Sequence, residues 1–370
     1  MIKGLYVHIP FCKKICVYCD FPKLVAGLSL QEEYMNALKT ELQFHAQDLV
    51  NIQSVYLGGG TPSSLSLPLM RPFLLALQEI IDLPGLAEFT IEANPTDVTD
   101  EWISLLKEFG VNRVSLGVQS FSDALLKAIG RTHSSKDAIT AIQKLKDAGF
   151  SNLSIDLIYA LPGETLEDLK FDLEIALRLE IQHLSIYSLI LEEKTELHHL
   201  VESKKISLPS EEEEENMAEW IEKRLSQSPF NHYEISNYGL PGFFSKHNLL
   251  YWNLDEYIGI GLGAASQYHY QRFVNYETIR KYIDNVKNTS SGVKEILPFD
   301  EIQETLLLGL RKAEGVSKTD FTSKFNKSVY DAYPGLKKHL HNGLLVDSDD
   351  RIHLTEKGFL LSNQVLIDLF

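Results

Sequence analysis

The sequence predicts an α/β fold in which six parallel strands alternate with helices in an open, three-quarter (β/α)6 TIM-like barrel, followed by a smaller, mainly helical C-terminal domain. Short β-branched and aromatic runs alternate with longer stretches of helical periodicity. Successive strands start roughly 25 to 50 residues apart, which leaves room for one crossover helix in each gap. The cysteines, a run of glycines and several polar residues fall at or near the strand ends, where parallel barrels carry their sites. Six such units, rather than eight, leave the barrel open at one side.

The predicted strands are β-rich segments bounded by turn residues, at positions 4–9, 54–58, 88–93, 113–118, 152–159 and 183–189. Capping residues mark the helices between them. Thr99 and Ser122 each open a helix, Gly149 closes one that begins near Ser135, and Thr165 starts the helix after the fifth strand.

The chain after the sixth strand divides into two parts. Residues 234–238 and 257–266 are predicted as strands or glycine-rich loops that finish the barrel core. From residue 298, apolar residues at helical spacing predict three short helices, and residues 343–355 are typical of a small hairpin. We therefore predict a barrel with its N-terminal loop at residues 1–236, a core-completing segment at 237–297 and a winged-helix-like domain at 298–370.

All three cysteines of the chain, Cys12, Cys16 and Cys19, lie in one loop after the first strand with the spacing CxxxCxxC. Such clustering indicates a soft metal centre with thiolate ligands from a single loop. A structural zinc ion needs four ligands, and no second CxxC or HxxxH pair occurs, so zinc would require an outside histidine such as His8. A four-iron cluster held by three cysteines leaves one iron open to a small molecule. The spacing favours iron–sulfur over zinc.

The run Gly58-Gly59-Gly60-Thr61-Pro62 follows the second strand. Consecutive glycines let the backbone approach a ligand closely, although a glycine-rich turn alone is weak support for a site. Two acids, Glu92 and Asp156, lie in the third and fifth strands; they are either ligand-binding carboxylates or members of ordinary salt bridges.

Composition excludes some function classes. The chain of 370 residues has a net charge of -16, which argues against a nucleic-acid surface. Its longest charge run, residues 211–215, is acidic and is predicted to be a solvated helix start. There is no signal-peptide pattern and no apolar run long enough for a membrane span, so we expect a cytoplasmic protein, in agreement with three reduced thiols.

The motifs together resemble a known family. CxxxCxxC with Tyr18 before the last cysteine is similar to the cluster loop of radical S-adenosylmethionine (SAM) proteins. YVHIPF, GGGTPS, TIEANP, GVQSF and DLIYALPGET are similar to one branch, the oxygen-independent coproporphyrinogen III oxidase family and its haem-chaperone relatives. The resemblance extends from Tyr6 to about residue 363. It implies a radical SAM-type barrel, a [4Fe-4S] cluster on the three cysteines and bound SAM.

By the same resemblance, a set of residues matches positions that contact SAM: Tyr6, Gly59, Gly60, Thr61, Glu92, Gln119, Arg131 and Asp156, with Tyr18 in the cluster loop. The residue types suit the ligand, because a carboxylate can hold an ammonium group or ribose hydroxyls and an arginine can meet a carboxylate. In the superfamily, an electron from the reduced cluster cleaves SAM into methionine and a 5′-deoxyadenosyl radical. A flavodoxin- or ferredoxin-type electron donor is therefore expected.

Two departures from the oxidases resemble the HemW-like haem chaperones instead. The oxidases carry a further cysteine two residues after the third ligand, where this chain has Phe21, and only five residues precede Tyr6 in place of a long extension. His247-Asn248-Leu-Leu-Tyr251-Trp252 is similar to the HNxxYW motif that is linked to haem binding in the chaperones. Imidazole is a good axial ligand for haem iron, so His247 is a candidate, although a histidine beside a tryptophan is more often a packed residue.

The resemblance implies a haem chaperone that binds haem and transfers it to acceptor proteins, including transient contact with membrane proteins. The alternative is an oxygen-independent coproporphyrinogen III oxidase, a radical SAM enzyme that decarboxylates its substrate to protoporphyrinogen IX. SAM cleavage is expected in either case, and whether it accompanies haem transfer is left open. A zinc-stabilised binding protein is the remaining class.

Overall fold

The computed structural model describes all residues, Met1–Phe370. Six parallel strands pair in chain order and form the barrel wall. They are β1 (Gly4–Ile9), β2 (Ser54–Gly59), β3 (Glu88–Ala93), β4 (Arg113–Gln119), β5 (Leu153–Tyr159) and β6 (His183–Ser188). Strands β1 and β6 do not pair with each other, so the barrel is open and the predicted fold class is confirmed.

Helices cross over between the strands and cover the outside of the wall. They are α1 (Leu28–Phe44), α2 (Leu67–Ile80), α3 (Asp100–Glu108), α4 (Asp123–Ala128), α5 (Ser135–Asp147) and α6 (Leu166–Arg178), followed by α7 (Glu196–Glu202) and α8 (Glu211–Leu225) after the last barrel strand. Helices α3 and α6 begin at the predicted caps, Thr99 and Thr165, whose hydroxyls accept from backbone N–H groups in the first turn. The acidic run starts α8, as predicted.

The sheet continues beyond the barrel on both sides and has twelve strands in all. On the β6 side are β7 (Asn231–Glu234) and β8 (Asn237–Gly239); helix α9 (Lys246–Trp252) follows. On the β1 side are β9 (Tyr257–Ile260), β10 (Ala265–Tyr268), β11 (Gln271–Asn275) and β12 (Val293–Leu297), with α10 (Ile279–Thr289) between the last two. Buried Glu41 on α1 holds this edge, since its carboxylate accepts from the backbone N–H groups of Gly261 and Gly292 and from the Tyr282 hydroxyl.

The C-terminal residues build a separate hydrophobic core. They form α11 (Glu301–Gly309), β13 (Val316–Ser317), α12 (Lys318–Phe325), α13 (Val329–Ala332), α14 (Leu336–His341), β14 (Leu345–Ser348), β15 (Arg351–Leu354), α15 (Glu356–Leu360) and α16 (Ser362–Leu366). The large core draws on residues 2–286 and the small one on residues 306–369. The boundaries at 236 and 297 remain predictions. No helix is long and apolar enough to cross a membrane.

Strand alternation divides the barrel side chains into two sets. One set, including Leu5, Val55, Ile91, Val114 and Ile155, is apolar, fully buried and part of the large core. The residues at alternate positions line the inside of the barrel and are polar or aromatic: Tyr6, His8, Tyr56, Glu88, Glu92, Arg113, Ser115, Asp156 and His183. The barrel interior is therefore the polar compartment of the molecule, and its open mouth lies at the carboxyl ends of the strands.

Candidate metal centre and cofactor site

The three cysteines lie in the loop after β1, at the barrel mouth, and each is partly exposed. Main-chain hydrogen bonds fix both ends of this loop, from Cys12 N to Leu24 O at 3.0 Å and from Leu24 N to Pro10 O at 2.8 Å. A third bond joins Val17 N to Ile129 O at 3.4 Å and ties the middle of the loop to the end of α4. The cysteines are thus presented by a loop that the rest of the mouth holds in place.

The thiol surroundings suit metal binding. The Sγ atom of Cys12 lies 3.4 Å from the Thr61 hydroxyl, and that of Cys16 lies 3.6 Å from Nη1 of Arg131. Burial raises the pKa of Cys12 and of Cys19, and mutual repulsion among the three thiolates adds to the shift. A metal centre binds cysteines as thiolates, so its binding would release the thiol protons.

The available ligands bear on the choice between zinc and an iron–sulfur cluster. Tetrahedral zinc with bonds of about 2.3 Å would bring the sulfur atoms to about 3.8 Å from one another. The three sulfur atoms do not all lie within 4.8 Å of one another, and the only group of ligating side chains that does is elsewhere, on α7. His8, the outside ligand that zinc would need, has both ring nitrogens engaged, with the Tyr6 hydroxyl at 3.0 Å and the Pro22 carbonyl at 2.7 Å. The donor set fits a larger cluster with three thiolates.

The glycine-rich turn after β2 packs directly against the cluster loop. Gly59 has a φ of +114°, a conformation that L side chains rarely adopt, and a Cβ there would lie 2.6 Å from the His8 ring. A Cβ on Gly60 would lie 2.6 Å from the carbonyl carbon of Pro10. Only glycine fits at these two positions, at Gly59 because of its φ and the adjacent His8 ring and at Gly60 because two backbone segments approach closely.

The two acids lie inside the barrel below the mouth. The Glu92 carboxylate accepts from the Tyr56 hydroxyl at 2.7 Å and from Gly59 N at 3.1 Å. Burial, together with the nearby Asp156 carboxylate, raises the pKa of Glu92 to about 7. Asp156 accepts from the Ser115 hydroxyl at 3.1 Å, and burial raises its pKa also. The hydrogen-bond partners are hydroxyls and a backbone N–H, not the cations of ordinary salt bridges.

Gln119 of β4 and Arg131, which follows α4, are two further polar residues of the predicted SAM site. Together with the residues described above, they form a ring of polar groups below the mouth. Arg131 donates through Nη2 to the Asn94 side chain and to the Gly117 carbonyl, both at 2.6 Å, while its Nε is buried without a partner. Gln119 has a φ of +69°, where the register between β4 and β5 shifts. A non-glycine residue held in this region is costly and recurs at ligand sites. A strained backbone residue and an unpaired buried donor therefore occur close together at this site.

The two tyrosines that the sequence analysis names have different neighbours. Tyr6, in the middle of β1, packs beside Tyr56 at 6.1 Å between ring centres, and burial raises the pKa of its hydroxyl. Tyr18 packs against a small apolar cluster that includes Leu125 and Ile129. The structure therefore brings the predicted cluster and SAM residues together around one mouth, and their ligand roles remain predictions. The sequence did not single out Tyr56 or Asn94, although Asn94 stands in the TIEANP motif.

His247 lies at the opposite, N-terminal end of the barrel. It is on α9, where Glu88 accepts from its backbone N–H at 3.1 Å. Its Nδ1 is 2.8 Å from the Ser54 hydroxyl and its Nε2 is 2.8 Å from the Tyr251 hydroxyl. The side chain is buried, and burial lowers the pKa of His247 to about 3. Its role as a haem ligand remains a prediction, and in this conformation iron would have to displace one of the two hydroxyls.

The chain is similar to known proteins over almost all of its length. The family model of the Radical SAM superfamily matches residues 6–176, and that of the HemN C-terminal domain matches residues 297–361. A protein of Lactococcus lactis named "Heme chaperone HemW" is 43% identical over 97% of this chain and 95% of its own length. A Bacillus subtilis protein of the same name is 38% identical over 98% of both chains. The structure of the Escherichia coli coproporphyrinogen III oxidase HemN matches with a TM-score of 0.86, over 100% of this chain and 90% of that one, at 21% identity, which shows a shared fold.

Proposed function

The chain belongs to the HemW family of radical SAM proteins, and from that membership we propose that it is a haem chaperone that binds haem and transfers it to acceptor proteins. The observation that carries the proposal is the 43% identity to a heme chaperone. The alignment covers 97% of this chain and 95% of that protein. The proposal extends to acceptors in the membrane, reached by transient contact.

Membership in the radical SAM superfamily implies a [4Fe-4S] cluster and SAM. We propose that Cys12, Cys16 and Cys19 hold the cluster, because all three lie in one loop at the mouth and His8, the outside ligand that zinc would need, has both ring nitrogens engaged. We further propose that SAM occupies the ring of polar groups beneath it: Tyr6, Gly59, Gly60, Thr61, Glu92, Gln119, Arg131 and Asp156. The unpartnered Nε of Arg131 and the raised pKa of Glu92 support this assignment, since both groups are buried and neither has its hydrogen bonds or its charge fully matched within the protein.

The cluster, when reduced, supplies the electron that cleaves SAM. The residues of this chain contribute binding and orientation. Glu92 would accept a hydrogen bond from the ammonium group of the cofactor, and the Tyr56 hydroxyl fixes the carboxylate for that purpose. Because the cluster loop lies at an open mouth, a flavodoxin- or ferredoxin-type donor can approach it from solvent.

The runner-up function is oxygen-independent coproporphyrinogen III oxidase. The likeness to the Escherichia coli oxidase shows the fold alone at 21% identity. Phe21 stands where the oxidases carry a further cysteine, and its side chain is 63% exposed on the cluster loop. An exposed phenylalanine beside the mouth suits contact with a flat apolar ligand and cannot replace a thiol.

A pair of anaerobic assays on the reconstituted full chain tests the proposal. Haem is titrated and followed by its Soret absorbance, and coproporphyrinogen III with SAM and a reductant is followed by product porphyrin. We expect stoichiometric haem binding and no decarboxylated product. Turnover to protoporphyrinogen IX without specific haem binding would contradict the proposal and establish the oxidase function.

A further inference from the structure

Among the twelve histidines of the chain, only a few present a ring that can ligate haem iron. Six are buried: His8, His45, His133, His183, His247 and His339. His232 bonds Glu222 through Nδ1, and its Nε2 is buried. Three are exposed and offer no pocket wall around a bound porphyrin: His199, His269 and His341. His198 and His353 remain as half-buried rings, and His353 belongs to the C-terminal hairpin.

His198 has the surroundings of an axial ligand. It lies on α7 with 20% of its side chain exposed, and its Nδ1 is buried without a hydrogen-bond partner. The carboxylate of Glu202 lies 3.5 Å from that Nδ1. A carboxylate on this side favours the tautomer with the proton on Nδ1, which leaves the Nε2 lone pair free for a metal. Nε2 has no protein partner and reaches solvent.

Helix α7 lies against the cluster loop. Leu197 N donates to Val17 O at 2.9 Å, and the two loops that follow β1 and β6 contribute Tyr18 and Leu189 to one small apolar cluster. The histidine and the cysteine loop therefore border the same mouth, whereas His247 lies at the opposite end of the barrel.

Six of the nineteen exposed large apolar side chains lie on or beside these two loops. They are Ile15, Phe21, Val25 and Leu28 after β1, and Tyr187 and Ile190 at the end of β6, with Ile190 69% exposed. Such a group on one rim needs a ligand or partner to cover it. The same loops carry exposed Lys14 and Lys194, which suit the two propionates of haem.

Resting on the proposed haem-chaperone function, we infer that haem binds across the rim formed by residues 10–28 and 187–199, with its iron ligated by Nε2 of His198. A site at this open rim would keep the haem accessible to an acceptor protein. On this inference, the motif around His247 stabilises the N-terminal end of the barrel, which we call its floor, and does not contact the iron.

The test compares single variants of the reconstituted full chain by haem titration and by electron paramagnetic resonance of the ferric complex. We expect His198→Ala to weaken haem binding at least tenfold and to remove the histidine-ligated signal, while His199→Ala, one residue along the same helix, retains both. Imidazole added to His198→Gly should restore the signal, which separates ligation from damage to the fold.

Each other outcome has a defined meaning. A histidine-ligated signal that persists in His198→Ala but is lost in folded His247→Ala would overturn the inference and place the ligand at the barrel floor. Unchanged haem affinity in His198→Ala would overturn it as well, while the chaperone function stands. A wild-type chain that binds no haem at all would overturn the proposed function itself.

Discussion

Replacing Gly60 by alanine tests whether the turn after β2 sets the position of the cluster loop. The new Cβ would lie 2.6 Å from the carbonyl carbon of Pro10 and 2.7 Å from its oxygen, both of them backbone atoms that cannot rotate away. Carbon atoms in contact prefer about 3.5 to 4.0 Å, so the two segments would have to separate by about 1 Å. Two main-chain bonds of 2.9 Å oppose this, from Gly60 N to Ile9 O and from Thr61 N to Phe11 O. Losing one of them costs about 1 kcal/mol.

We expect Gly60→Ala to raise the SAM dissociation constant at least tenfold, about 1.4 kcal/mol, because the turn and the cluster loop no longer match the ligand. Isothermal titration after anaerobic reconstitution measures the constant, and iron and sulfide analysis measures the cluster. Gly27→Ala is the matched control, since Gly27 is in the same loop with a φ of -73° and nothing within 4 Å of a Cβ. Equal SAM affinity and iron content in the two variants would refute the reasoning.

Three further predictions follow from the site and the floor of the barrel. Because burial raises the pKa of Glu92 to about 7, SAM affinity should rise by up to about tenfold per pH unit from pH 6 to 7 and level off above that range. Titration calorimetry should show no such pH dependence for Glu92→Gln. A wild-type affinity that does not change with pH would show that Glu92 is not part of the cofactor site. His247→Ala should lower the free energy of unfolding by about 2 to 4 kcal/mol, through a cavity and the lost bonds to Ser54 and Tyr251. Its depressed pKa means that the wild type loses stability as pH falls below about 6.5, and urea unfolding at pH 5 and 7.5 should show a smaller loss in the variant. Cys16→Ala should abolish cluster absorbance and SAM cleavage yet keep the far-ultraviolet circular dichroism of the folded barrel; an unfolded variant would contradict a mouth position.

The strands and capped helices of the barrel were predictable because their signals are local. Thr165 begins α6 with a reciprocal capping box to Asp168, three residues away, so neighbouring sequence is enough to place that helix start. Strands β11 and β12 and helix α10 were not predicted. They are held through distant partners, above all Glu41, whose carboxylate bonds Gly292 some 250 positions later. No local pattern records such a contact.

The same distinction applies to the site. The CxxxCxxC loop and the GGG turn are contiguous motifs, so their chemistry is legible in the sequence. Tyr56 supports Glu92 from the neighbouring strand, a contact that depends on the register between β2 and β3. Likewise, the position of His247 follows from where α9 docks, and Glu88 fixes that by accepting from the N-terminal backbone of the helix.

The two ends of the barrel share one side chain, and this affects how variants of the HNxxYW motif are interpreted. The Tyr56 hydroxyl holds Glu92 near the mouth, while its ring packs on His247 at 5.2 Å between centres. Removing the imidazole frees the Tyr56 ring to move, and the carboxylate that it supports moves with it. A His247 variant is therefore expected to weaken SAM binding without touching SAM. Loss of haem from such a variant does not by itself locate the iron ligand, because the cofactor site and the stability of the floor change together. Only a spectroscopic signature of the ligand, recorded at matched cluster content, distinguishes the two ends of the barrel.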